Sequence, residues 1–211
     1  AGQLVGGFRS DAFSNPFFGF TAEGYHGAIA YAPKRGLQSG VSFASVDDGN
    51  RYGLQSDTSS VHLGLAGKAF GVGATLGLME EEGNLLGGAS GGALSASHAQ
   101  TFFTVLRGHL DFAKHWSLIG KYTHGLTFAD DYEKSLLSNF SQIESNSWGM
   151  GLAGRHVFSR GDQLGFGVSQ PLRTIDGDVE VSTPYWDPMR ARVGFNSTRT
   201  SLVPNGLETS L

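Results

Sequence analysis

The chain has 211 residues, no cysteine and a formal net charge of -4, which excludes disulfides and thiolate metal sites and leaves no strongly basic footprint for nucleic acid. Charged residues are only 16% of the chain, below the typical ~25%, and its 32 glycines are about twice the usual share. The longest apolar runs are a few residues, too short for the ~20 of a transmembrane helix but no obstacle to a membrane β-strand, which needs only ~9–11 residues with every second one apolar.

The first residues, Ala1-Gly2-Gln3-Leu4, do not read as a signal peptide. Five phenylalanines follow, Phe8, Phe13, Phe17, Phe18 and Phe20, with a turn marked by Asn15-Pro16. Tyr25, Ile29 and Tyr31 alternate, and Pro33-Lys34-Arg35-Gly36 turns the chain. Leu37, Val41 and Phe43 alternate up to Asp47-Asp48-Gly49-Asn50, a second turn signal. Val61, Leu63 and Leu65 then face Phe70, Val72, Ala74, Leu76 and Leu78 across a hairpin that turns near Lys68. A loop is expected from Glu80 to about Ser97.

Phe102, Leu106, Leu110 and Phe112 alternate next, and Ala113-Lys114-His115 connects them to Trp116, Leu118, Tyr122, Leu126 and Phe128. A polar loop is expected over 130–144. The cleanest segment follows. From Ser147 to Phe158, Trp148, Met150, Leu152, His156 and Phe158 fall on one face, with Ser147, Gly149, Gly151, Ala153 and Arg155 on the other. Turns are read at Ser159-Arg160-Gly161-Asp162 and at Asp176-Gly177-Asp178, and residues 179–203 hold two more strands.

These elements predict a single all-β domain over 1–211, an antiparallel up-and-down meander or β-barrel of roughly 10–12 strands. In most of these strands the face opposite the large apolar residues carries mainly Gly, Ser, Thr or Ala, with few charges such as Lys121 and Arg155. Such strands turn their large side chains either to lipid or to a packed core, and alternation alone selects neither.

Motifs that carry chemistry are sparse. Gly88-Ala89-Ser90-Gly91-Gly92 has the form of a nucleophile elbow, but it precedes a strand where that motif needs a helix. Gly149-x-Gly151-x-x-Gly154 has the form of a dinucleotide fingerprint, but it lies within a strand and is read as small residues on a crowded face. The seven histidines include no pair at metal-ligand spacing, although His115 and His124 are considered as cross-strand partners. Glu80-Glu81-Glu82 reads as a solvated strand end, and Asp130, Asp131 and Glu133 form an oxygen-rich loop without EF-hand spacing. Trp116, Tyr122, Trp148, Tyr185 and Trp186 lie near predicted strand ends, where a membrane barrel carries its aromatic girdles. No catalytic, cofactor-binding or metal residue is assigned.

Three segments carry a family resemblance: 78–94, with its acidic run, Gly83, Leu85-Leu86-Gly87 and Ser90-Gly91-Gly92-Ala93-Leu94; Gly167-Val168-Ser169-Gln170-Pro171-Leu172-Arg173 with Gly177; and Thr200-Ser201-Leu202-Val203-Pro204-Asn205-Gly206-Leu207-Glu208. In order and spacing they resemble the C-terminal, autotransporter-like β region of bacterial subtilisin-like serine peptidases, over roughly residue 60 to the end. The resemblance implies an outer-membrane β-barrel that anchors or translocates a secreted protease. The alternative it implies is a soluble all-β accessory domain that binds such a protease in the periplasm or outside the cell. The expected partners are a protease passenger or another protein, together with outer-membrane lipid, and no nucleic acid or cofactor. The peptidase motifs Gly-Thr-Ser-x-Ser/Ala, Asp-Thr-Gly and His-Gly-Thr do not occur, so no enzyme activity is expected of this chain. It ends Thr209-Ser210-Leu211 where barrels of that type finish on a terminal Phe or Trp, which leaves three alternatives: the closing strands are missing, a partner supplies them, or the chain folds as a soluble sheet structure.

Overall fold

The computed structural model describes residues 15–20, 24–32, 36–48, 54–89, 92–94 and 96–206. Phe8 and Phe13, the turn residues 33–35 and 49–50, Ser90-Gly91, and Leu207 and Glu208 of the third resemblance segment lie outside them. One short helix, α1 (Pro16–Gly19), precedes the strands β1 (Tyr25–Tyr31), β2 (Leu37–Asp48), β3 (Leu54–Ala66), β4 (Phe70–Glu82), β5 (Asn84–Leu85), β6 (Gly88–Ala89), β7 (Ala96–Ala113), β8 (Trp116–Asp131), β9 (Leu137–Ser138), β10 (Ile143–Arg155), β11 (Gln163–Asp176), β12 (Asp178–Asp187) and β13 (Arg192–Ser201). The fold is all-β and antiparallel, as the period-two alternation requires.

Eight strands form one up-and-down sheet in the order β1-β2-β3-β4-β7-β8-β10-β11, with β1 and β11 at its edges. The connections over 67–69, 114–115 and 156–162 lie at one end of this sheet, and residues 83–89, 92–94 and 132–142 lie at the other. The expected single series of strands does not run to the end of the chain. Here β12 and β13 form a second sheet with β9. The turn read at Asp176-Gly177-Asp178 is a one-residue joint between β11 and β12, shorter than the two residues a hairpin needs. The chain therefore leaves the main sheet at its long-loop end, and Gly177 (φ 138°) supplies a backbone conformation that side-chain-bearing residues rarely adopt.

The cleanest predicted strand also stops early. β10 ends at Arg155, and His156 (φ 54°) and Phe158 belong to the turn. The cause is Asp162. Its carboxylate accepts the backbone N–H groups of Val157 (2.7 Å), Phe158 (2.7 Å) and Ser159 (2.8 Å), which curls the chain out of the extended conformation.

The sheet is curled around α1. Asn15 Oδ1 accepts the N–H of Phe17 (3.2 Å) and Pro16 opens the helix, an ordinary capping arrangement. Phe17, Met79 of β4, and Phe103 and Val105 of β7 form a buried cluster. Leu172 of β11 packs against that same cluster. In a flat sheet β4 and β11 would stand about 19 Å apart, four strand spacings. Contact with one cluster requires strong curvature, and α1 fills the inner side at the long-loop end.

Candidate functional site

Strand register sorts each side chain to one of two faces. On the outer face, away from α1, the rows Phe70–Leu110–Leu118–Leu152–Phe166 and Leu63–Ala74–Leu106–Tyr122–Trp148 run across the main sheet. Leu76 and Phe166 are each 61% exposed and Met150 is 51% exposed. Trp148 and Leu152 are half-buried on the same face. These residues do not meet in a core. Toward the long-loop end the outer rows become polar, with Asp57, Glu80 and Gln100 in register.

The inner face is the reverse. Ser56, Thr58, Ser60, Thr75, Thr101, Thr123, Thr127, Ser145 and Ser147 are buried there. A hydroxyl network crosses four strands. His62 Nε2 lies 2.6 Å from Ser42 Oγ and 3.1 Å from Ser60 Oγ, its Nδ1 lies 2.8 Å from Thr75 Oγ1, and Arg107 Nη2 donates to Thr75 Oγ1 (3.0 Å). Ser42 and His62 have the spacing of a nucleophile and its base. The group behind the imidazole, however, is a neutral hydroxyl already bonded to a guanidinium. That arrangement disfavours the imidazolium that acyl transfer requires, so the network acts as a polar wall that fixes β2, β3, β4 and β7 to one another.

Next to this wall the inner row Gly64–Gly73–Arg107–Lys121–Gly149 crosses five strands. These residues line an open cavity of about 940 Å³. Three positions without side chains thus adjoin two cations that stand directly opposite each other on β7 and β8. α1 lies roughly four residues nearer the long-loop end, where Gly125 leaves room for the Phe17 ring; a Cβ there would sit 2.6 Å from Phe17 Cζ.

The residues singled out in the sequence are dispersed. Ala89 of the elbow-like motif ends the two-residue strand β6. Gly149 and Gly151 face inward on β10 and Gly154 faces outward beside the Trp116 ring. His115 lies in the turn before β8, whereas His124 is far along that strand and 3.7 Å from Glu144. The acidic run is not wholly solvated, as the sequence reading expected. Glu80 and Glu82 are exposed, but Glu81 is buried and accepts the N–H groups of Leu86 (2.9 Å) and Gly87 (2.7 Å), because the loop folds back over the inner face. Asp131 is exposed and accepts the N–H of Asn139 (3.0 Å). Of the aromatics, Trp116 opens β8, Tyr122 and Trp148 oppose each other at mid-strand, and Tyr185 and Trp186 stand apart on β12. The His62 network and the Arg107–Lys121 pair escaped the sequence reading; inward parity of Ser42, Ser60, His62 and Thr75 in adjacent predicted hairpins is the signal that finds them. Comparison of the chain with protein-family models, with curated proteins and with solved structures finds no match.

Proposed function

We propose that the chain is the membrane-embedded β-domain of an autotransporter-like outer-membrane protein, which anchors or translocates a secreted subtilisin-like protease. The observation that carries this reading is the inversion of its two faces: large apolar side chains outward, Ser, Thr, Gly and charged residues inward. Soluble monomers rarely expose a contiguous apolar patch beyond ~300–600 Å². The rows described above cover the outer face of most of the main sheet.

Dimensions support the same reading. On β4 the apolar positions run from Phe70 to Leu78, about 27 Å along the strand. Tilted as outer-membrane strands are, that span approaches the ~25 Å apolar band of such barrels. Turns at one end and longer loops at the other follow the same pattern. α1 itself lies inside the curl, on the route a passenger would take. The role requires β1 and β11 to be paired, because unpaired strand edges are costly in hydrocarbon.

The reading is tested by expressing the chain behind a secretory leader and a reporter in a Gram-negative host and fractionating the envelope. Recovery in the outer membrane, with detergent needed for extraction and the reporter accessible outside, supports it. A monodisperse chain in detergent-free buffer overturns it and returns the soluble accessory role.

A further inference from the structure

The apolar band of the outer face is not of one height. On β4 its outward positions run from Phe70 to Leu78, about 27 Å, and on β7 they run from Phe102 to Phe112, interrupted only by Thr104 and Gly108. On β10 the band holds Trp148, Met150 and Leu152, about 13 Å, and on the neighbouring β11 Leu164, Phe166 and Val168. Toward the long-loop end the next outward residues are Asn146 and Glu144 on β10 and Gln170 on β11, beside His124 of β8. His124 and Asn146 share the register row of Leu76. Ser59 also interrupts the band on β3, but Phe43 and Leu78 flank it in register. Asn146 is flanked by His124 and Arg173.

The indole N–H of Trp148 donates to Gln170 Oε1 (3.2 Å), Gln170 Nε2 donates to Asn146 Oδ1 (2.8 Å), and His124 Nε2 lies 3.7 Å from Glu144. Trp148 thus belongs to the apolar rows by register and to a polar cluster by its N–H, which is how an aromatic side chain sits at a membrane–water boundary. The apolar band on this side ends at Trp148, two outward positions short of Leu78 and Phe102 in register. A bilayer meets a short apolar stretch by thinning, or the stretch is covered by another protein. Here the polar side chains bond to one another, which leaves few groups for a protein partner, and all are half-exposed.

We propose that the bilayer is locally thinned against β10 and β11, where lipid headgroups and water descend to the level of Trp148. The inference rests on the membrane role and names the side of the sheet on which lipid is disturbed. β11 is also a free edge of the main sheet, so a strand that pairs there meets a shorter hydrocarbon path.

The test is a spin-label scan of the full chain in dioleoylphosphatidylcholine vesicles. Single labels are placed at the outward positions from 102 to 112 on β7 and from 144 to 152 on β10, and each is read by oxygen and by a water-soluble nickel chelate. Strand tilt displaces both runs along the membrane normal without changing their lengths. The expected result is an oxygen-preferring run about twice as long on β7 as on β10, with nickel preference at 144 and 146. In dilauroylphosphatidylcholine, whose hydrocarbon is thinner, the two runs should approach one another. Oxygen preference at 144 and 146 equal to that at 106 overturns the proposal, and so does immobilisation at 144 and 146, which assigns that side to a protein partner. Nickel preference along both strands is a separate outcome, which removes the membrane role and this inference with it.

Discussion

The ring of Phe17 stacks on that of Phe103, 4.7 Å between centroids and 17° between planes, so a residue outside the sheet and a residue of β7 share one buried cluster. This contact ties α1 into the curl. Phe17→Ala removes a fully buried ring, and the expected loss is about 3–5 kcal/mol, read as a lower denaturant midpoint. Gly125→Val, which pushes on the same ring from β8, should lower the midpoint in the same direction without deleting any contact of Phe17.

Glu81 holds the loop after β4 to the inner face through two backbone N–H groups. Glu81→Ala leaves those donors without their acceptor, at a cost of about 1–3 kcal/mol. Hydrogen exchange at the amides of Leu86 and Gly87 should quicken, while amides in the middle of β7 and β8 keep their protection.

The turn between β10 and β11 depends on pH through Asp162. Partial desolvation pushes its carboxyl upward, but the N–H groups of Phe158, Ser159 and Val157 and the neighbouring His156 outweigh this and hold it below its ordinary value. A carboxyl lowered by folding contributes stability above its unfolded value and loses it as pH falls through the folded one. Amide exchange at Val157, Phe158 and Ser159, corrected for intrinsic rates, should therefore be slow at neutral pH and should quicken once the pH drops below the ordinary aspartate range. Asp162→Asn should abolish most of that pH dependence.

A charge on the outer face should cost according to depth. Leu76 lies inside the apolar band and Glu80 at its polar edge. In a bilayer, Leu76→Lys should destabilise by about 2–4 kcal/mol and Glu80→Lys by no more than about 1, measured by denaturant titration in vesicles. Equal costs at the two positions would contradict a lipid-facing band.

Much of the fold was legible because a strand repeats every two residues, and this chain keeps that period through β2, β4, β7, β8 and β10. The direction of the faces was not legible, since Leu76 opposite Thr75 suits lipid and a core alike. Glu81 was misread because burial of a carboxylate depends on a loop folding back, which local charge density does not encode. Four residues of α1 are too few to show helical periodicity, and Gly177 carries the same turn signal whether it reverses a chain or bends it. The His62 network depends on register across four strands, which no single segment of sequence contains.

The most direct measurement places spin labels at Leu76, Met150 and Phe166 and, for contrast, at Thr75 and Gly167, in chain reconstituted into vesicles. The relaxation of each label by oxygen and by a water-soluble nickel chelate is then compared. A lipid-facing outer surface predicts strong oxygen and weak nickel accessibility at positions 76, 150 and 166, with the opposite preference or immobilisation at 75 and 167. Nickel accessibility at 76, 150 and 166 equal to that of an exposed loop, or their immobilisation in a protein core, would contradict the membrane role.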